Sequence, residues 1–332
     1  MRLDVQARRG STEVPAADPI LARYLEALLP AVYVDTGRAC NQDCVYCSVD
    51  KRAPAPVSVD AVQATLDAAF SSGLRRLVFI GGEPTLRDDL PELVGRARAR
   101  GFEAVVVMTN GIRLAAPGRL ASLVDAGLTH VQLSLDDHRW ERQAALSRRP
   151  STEQLLPRAL DNLTAEARVA LSFYHVMTRV NAPELPAFVR FVGGLRERSG
   201  RELLTISTFV KPVTVAWDNR ALVVPKISDV VGPLRQALEL SSSLGVPFYF
   251  RNLPECVMPG FGARNIDSYT SVSSLDTTSG HAEPMDQGDD DFVRVERCRG
   301  CPHADGCPGV HRGYLELFGD AELREHSAET SA

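Results

Sequence analysis

The chain has 332 residues, 44% of them hydrophobic, and a formal net charge of −5, enough apolar material for one barrel-sized domain and an appendage. Lys and Arg are dispersed rather than gathered into a basic stripe, which speaks against a nucleic-acid partner. No apolar run approaches the roughly 18 residues that a membrane span needs.

Residues 1–30 read as a loosely packed lead-in with a short helix near Leu21–Leu29. They lack the apolar core of a secretory signal, so a cytoplasmic protein is expected. Strand-like and helix-like runs then alternate. The strands are read at Ala31–Asp35, Leu77–Ile80, Ala104–Met108, His130–Leu133, Ala170–Val176 and Leu203–Phe209. The helices are read at Val59–Ser71, Asp88–Arg100, Arg119–Ala126, Thr152–Ala165, Ala182–Gly193 and Asp229–Leu244. Ser58 is placed to cap the first helix, and Gly73 and Gly101 to close the first two. Helices rich in Ala, Leu and Arg between Val-rich strands imply βα units on a parallel sheet. A doubly wound sheet is the structural alternative, but the first strand leads into a cysteine loop and not a phosphate-binding glycine loop. Residues 260–292 are rich in Ser, Thr, Gly and Asp and read as a mobile loop, either a lid or plain disorder. Glu325–Ala332 read as a frayed end.

The cysteines carry the chemistry. Seven of them would leave one over in any disulfide scheme, whereas as metal ligands they divide into three and four. Cys40, Cys44 and Cys47 form C-x3-C-x2-C just past the first strand. Three thiolates can hold three irons of a cubane cluster and leave the fourth iron open. Zinc is the competing reading, but it wants a fourth Cys or His at short spacing, and none follows. Open clusters and free thiolates need a reducing compartment, in agreement with a cytoplasmic location.

Those residues resemble the signature of the radical SAM superfamily, and Tyr46 matches its aromatic position. The resemblance implies a 4Fe–4S cluster on Cys40, Cys44 and Cys47 that binds S-adenosylmethionine at its open iron. That cofactor is cleaved reductively to a 5′-deoxyadenosyl radical, with Tyr46 packed beside the adenine. Gly81-Gly82-Glu83-Pro84, at the exit of the next strand, looks like the family's methionyl-ammonium site, with Glu83 supplying the charge. Thr109 and Asn110 lie at the exit of the third strand, as cofactor contacts or as a turn closed by an Asx bond. Ser134 and Asp136 match positions that reach the ribose or carboxylate of the nucleotide. Arg148 or Arg149 is placed to pair with the methionyl carboxylate. The fold implied is α/β, a partial (β/α)6 TIM-like barrel over residues 31–250, with a small cysteine-rich domain over 251–332.

Cys256, Cys298, Cys301 and Cys307 make the second set. C-x2-C-x5-C followed by Gly309 resembles the C-terminal auxiliary-cluster modules called SPASM and Twitch. The resemblance implies one second 4Fe–4S cluster, with zinc again the alternative. The fuller pattern has a further cysteine where this chain has His311, which reads either as a replacement ligand or as a surface residue.

The implied function is a radical SAM oxidoreductase or maturase that abstracts a substrate hydrogen. If the second cluster takes up the electron, the outcome is net oxidation, by dehydrogenation or cross-linking. An electron donor of the flavodoxin or ferredoxin type is implied. A small metabolite or short peptide is favoured as substrate and a ribosomally made peptide is the alternative, because 30 residues ahead of the first strand are few for a peptide-recognition domain. The rival from another class is a non-catalytic metal-binding scaffold. Tyr174, His175 and Arg179 fall on or after the fifth strand, and Lys211, Trp217 and Asp218 after the sixth, where substrate contacts are expected. A lone strand histidine is more often a satisfied core residue.

Overall fold

The computed structural model describes residues 31–49, 57–268, 273–276, 283–284, 291–304 and 307–324. The lead-in over 1–30 and the end over 325–332 lie outside the described residues. Seven parallel strands cross one sheet in sequential order: β1 (Val32–Asp35), β2 (Arg76–Ile80), β3 (Ala104–Thr109), β4 (His130–Ser134), β5 (Ala170–Met177), β6 (Leu203–Phe209) and β7 (Phe248–Arg251). Between them run α1 (Val59–Ser71), α2 (Leu90–Arg100), α3 (Pro117–Asp125), α4 (Trp140–Leu146), α5 (Thr152–Ala165), α6 (Leu185–Ser199), α7 (Thr214–Asp218), α8 (Arg220–Val223) and α9 (Ile227–Leu244).

Period-two burial sorts the strands onto two faces. Leu77 and Phe79, Val105 and Val107, and Val131 and Leu133 join the large core under the helices. Their alternates Val78 and Val106 pack with Ala31, Tyr33, Ile80 and Met108 on the concave face. A parallel sheet covered on both faces demands such nearly continuous apolar strands. The helix ends follow the local chemistry. Ser58 accepts a hydrogen bond from the Ala61 amide at 3.1 Å, and Gly101 closes α2 with φ at 108°.

The sheet stays open, so the partial barrel read from the sequence is the architecture found, with β7 as an additional parallel strand. At the other edge, β8 (Ser273–Asp276) adds to β1 in parallel and β9 (Glu283–Pro284) returns against it. Part of the segment read as a loop over 260–292 therefore extends the sheet. The C-terminal part also holds an antiparallel pair, β10 (Phe292–Val293) with β11 (Val310–His311), and α10 (Arg312–Phe318). Tyr314 of α10 is buried against Phe209, with ring centroids 5.8 Å apart, and its hydroxyl accepts from the first amide of α9, at Ile227, at 2.9 Å. That docks the end of the chain onto the barrel.

Among the described residues, no helix is long and apolar enough to cross a membrane.

Candidate active site and a second cysteine cavity

The exits of β1 to β4 lie at one mouth of the sheet, and the cysteine loop spans that mouth. Past β1 the loop runs alongside the β2 exit. Gly82 donates its amide to the Gly37 carbonyl at 2.7 Å, and Glu83 donates to Ala39 at 2.8 Å. This contact explains both glycines. A Cβ on Gly82 would lie 2.3 Å from the Ala39 oxygen, and one on Gly81 would lie 2.4 Å from that of Gly37. Gly81 also sits at φ +146°, where side chains are strained. The expected close approach exists, and the chain that approaches is the cysteine loop itself.

Glu83 is buried at 3% exposure. Its Oε1 accepts from the Thr85 amide, the Thr85 hydroxyl and the Thr109 hydroxyl at 3.0, 2.5 and 2.6 Å, and its Oε2 from the Asn110 amide at 2.7 Å. The carboxylate thus welds the exit of β2 to that of β3. Burial pushes its pKa up against the pull of these donors. Pro84 begins the short 3-10 turn Pro84–Leu86 that carries Thr85 back to this carboxylate. Asn110 closes an Asx turn, accepting from the Ile112 amide at 3.1 Å, while its Nδ2 reaches Asn41 at 2.8 Å and the Cys40 sulfur at 3.9 Å. Thr109 and Asn110 therefore act in the turn and toward the cysteine loop together.

All seven cysteines are free thiols. Cys40 Sγ also accepts from the Gln42 amide at 3.4 Å, and the Cys47 amide donates to the Cys44 carbonyl at 3.2 Å. Burial, then the charges of Asp136, Cys47 and Cys40, push the Cys44 thiol up, so its ionisation calls for a cation beside it. N–H donors aimed at a sulfur and thiols drawn together on one loop suit an iron–sulfur cluster. Among the described residues no three Cys, His, Asp or Glu side chains converge on a single-ion site. A cubane gives each thiolate its own iron and needs no such convergence.

The Tyr46 hydroxyl donates to Asp136, which also accepts from the Val176 amide at 2.8 Å and from Gln143. Asp136 is 1% exposed, and burial pushes its carboxyl up to about 6. Ser134 ends β4, in register with Tyr174 of β5. Arg148 pairs with Asp43 at 3.6 Å and donates to Asn219 at 3.0 Å; Arg149 donates to the Asn41 carbonyl and to Ser151. Both arginines thus fasten the cysteine loop. His175 is a core residue, 2.9 Å from the Ser207 hydroxyl and tilted against Phe188 with ring centroids 4.8 Å apart, and burial lowers its pKa to about 3.

Two residues were passed over in the sequence. Tyr33 of β1 has Arg251 of β7 and Tyr174 of β5 as its electrostatic neighbours, so the two outer strands of the parallel run face each other across the concave side. Arg251 is paired with Asp267 at 3.2 Å. Period-two alternation is the signal for Tyr33; for Arg251 it is the aromatic run Phe248-Tyr249-Phe250 ahead of it.

The second set lines one cavity, where Cys256, Cys298, Cys301 and Cys307 meet with Pro254 and Leu323. Four thiols on one cavity are the donor set of a four-thiolate group, and because burial raises those of Cys256 and Cys307 their ionisation would call for a cation there. His311 is not among the lining residues. It is 5% exposed, and its Nδ1 caps α10 by accepting from the Gly313 amide at 3.0 Å. It is a buried helix cap and not the surface residue that the sequence allowed.

The family model for the radical SAM superfamily matches residues 34–192. That match makes the stretch from β1 into α6 similar to a radical SAM domain. Radical SAM proteins use a 4Fe–4S cluster and S-adenosylmethionine, and the three-thiol loop has the donor set for that cluster. GTP 3′,8-cyclase of Chlorobaculum tepidum is 37% identical over 155 residues, 46% of this chain and 46% of that enzyme. PqqA peptide cyclase of Xanthomonas oryzae is 29% identical over 260 residues, 71% of this chain and 64% of that enzyme. The chain spans about half to two thirds of the length of these curated relatives. The crystal structure of Streptococcus suis SuiB bound to precursor peptide SuiA superposes with a TM-score of 0.64 at 11% identity, covering 93% of this chain and 79% of that one. Native anSMEcpe with bound AdoMet and Cp18Cys peptide gives 0.57 at 15% identity, over 89% and 92%. These likenesses establish the fold.

Proposed function

We propose that this chain is a radical SAM oxidoreductase that carries out net oxidation, by dehydrogenation or cross-linking, of a small metabolite or short peptide. The observation that carries the reading is the pairing of two separate thiol sets, three on the mouth of the barrel and four around one cavity beyond β7. When bound, the first cluster with S-adenosylmethionine would supply hydrogen-abstracting radical chemistry, and the second cluster would supply an electron sink that makes the outcome an oxidation.

The chain's own residues have distinct tasks. Cys40, Cys44 and Cys47 hold the first cluster, and Cys256, Cys298, Cys301 and Cys307 the second. Glu83, through Thr109 and Asn110, keeps the exits of β2 and β3 in fixed relation beneath the cofactor. Asp136 orients Tyr46 toward the adenine side, and Ser134 presents its hydroxyl at the β4 exit. Tyr33, Tyr174 and Arg251 line the concave side where substrate would lie. Positioning of this kind supplies the selectivity of a radical reaction. An acidic one-electron donor of the flavodoxin or ferredoxin class would reduce the first cluster.

Anaerobic reconstitution followed by dithionite and S-adenosylmethionine tests the reading. The expected result is 5′-deoxyadenosine; a cluster-replete sample that forms none favours a scaffold.

A second reading, a maturase of ribosomally made peptides, has its own support. The match to PqqA peptide cyclase covers 71% of this chain and so reaches beyond the 34–192 domain. Deuterium transfer from a labelled precursor peptide into 5′-deoxyadenosine separates the two substrate classes.

A further inference from the structure

The turn Cys44–Cys47 is fastened on both sides. Toward α4, the amides of Asp43 and Val45 donate to the carbonyls of Ser147 and Leu146 at 3.0 and 2.9 Å. On the other side the partners come from the chain that leaves β6. Thr214 Oγ1 donates to the Cys47 carbonyl at 2.7 Å, across 167 residues, and Asn219 Nδ2 donates to the Val45 carbonyl at 3.0 Å, across 174 residues. Asn219 also accepts from Arg148 through Oδ1 at 3.0 Å, and Arg148 is paired with Asp43 of the same loop.

Two non-glycine residues in this assembly hold left-handed backbone, Thr214 at φ 46° and Arg148 at φ 48°. For a β-branched threonine that conformation is an outlier, and it persists only where the surroundings over-determine it. At Thr214 the strained backbone aims the hydroxyl at the Cys47 carbonyl.

We propose that Thr214 and Asn219 are positioning residues that clamp the first-cluster loop and set the orientation of the Cys44–Cys47 turn. The proposal rests on the reading that Cys40, Cys44 and Cys47 hold a 4Fe–4S cluster. Cluster potentials respond to nearby dipoles, hydrogen bonds and solvent access, so the direction of the Val45 and Cys47 carbonyls matters to the cofactor. Because the clamp starts where β6 ends, it also ties the substrate side of the barrel to the cluster loop.

The test uses the full chain with Thr214→Val, Asn219→Asp and the double substitution, and with Thr214→Ser as the conservative control. Asn219→Asp keeps the acceptor for Arg148 and removes the donor to Val45. Hydrogen exchange of the Val45–Ser48 amides is measured before and after reconstitution, followed by the midpoint potential and EPR signal of the reduced first cluster. In the double variant we expect those amides to exchange roughly 10-fold faster in both states. Iron content should be unchanged, with a shifted potential and 5′-deoxyadenosine formation slowed by roughly 10-fold. Thr214→Ser should behave as the parent chain. Unchanged exchange, potential and EPR signal in the double variant would overturn the clamp. A parent chain that takes up no iron would instead overturn the cluster reading, while the exchange measured before reconstitution still judges the clamp. Should the double variant fold poorly, Thr214→Val alone gives the same readouts.

Discussion

The Cys40–Cys47 loop is fastened by distant parts of the barrel: the β2 exit, Asn110 after β3, the end of α4 and the segment after β6. The C-terminal cysteines lean mainly on their own turns. The amides of Cys298, Cys301 and Cys307 donate to the carbonyls of Val295, Cys298 and His303, all nearby in sequence. Longer ties among the described residues include Arg294 on the Cys307 carbonyl at 3.2 Å, His303 against Glu255 at 2.7 Å, and the backbone of Arg324 and Glu255 on the Cys256 and Cys307 thiols. The first set is held ready by the fold. The second is a cavity closed by local turns, and a bound group would contribute much of its order.

The comparison can be broken most sharply at the thiols. Cys44→Ala should reduce 5′-deoxyadenosine formation to background while the C-terminal cavity keeps its iron. Cys298→Ala with Cys301→Ala should lower iron content by about half, keep cleavage of S-adenosylmethionine and make the C-terminal region more open to protease. Equal losses from both changes would mean that the two sites are not independent.

Gly82→Ala comes next, because its Cβ would collide with backbone atoms of Arg38 and Ala39 at 2.5 and 2.3 Å. The cysteine loop should shift and iron uptake at the first site fall severalfold, as iron analysis would show. A smaller effect is expected from Glu83→Ala, which strands the amides of Thr85 and Asn110 and two hydroxyls in a buried place. A loss of about 3 kcal/mol in urea unfolding is expected, from the cost of unmet buried donors.

The last effect, no larger than that of Glu83→Ala, is that of pH. The Asp136 carboxyl is raised from 3.8 to about 6 by burial. Between about pH 4 and pH 6 the folded chain holds this proton and the unfolded chain does not, so stability falls as pH rises, by about 3 kcal/mol at most. Asp136→Asn should flatten that fall in urea midpoints of the iron-free chain.

Much of the fold was legible because Val-rich strands alternate with Ala-rich helices from β1 to β6, although the short α4 between β4 and α5 was not read. β7 was missed because only four residues, Phe248–Arg251, follow the long helix α9. β8 was illegible because Ser273, Ser274 and Asp276 look like loop residues until β1 offers its edge. The three-thiol loop was readable from spacing alone. The partners of Glu83 were not, since Thr109 and Asn110 lie 26 and 27 residues away and meet it only through strand register. His311 misled for a related reason: the cysteine spacing pointed to a ligand or a surface site, while the side chain caps the helix that starts at Arg312.

Mössbauer spectroscopy of the anaerobically reconstituted chain, recorded with and without S-adenosylmethionine, tests the two-site arrangement most directly. The expected spectrum holds two 4Fe–4S components, only one of which changes when the cofactor is added, and that one is missing in Cys44→Ala. A chain whose first cysteine set holds zinc or no metal, or a spectrum indifferent to S-adenosylmethionine, would contradict it.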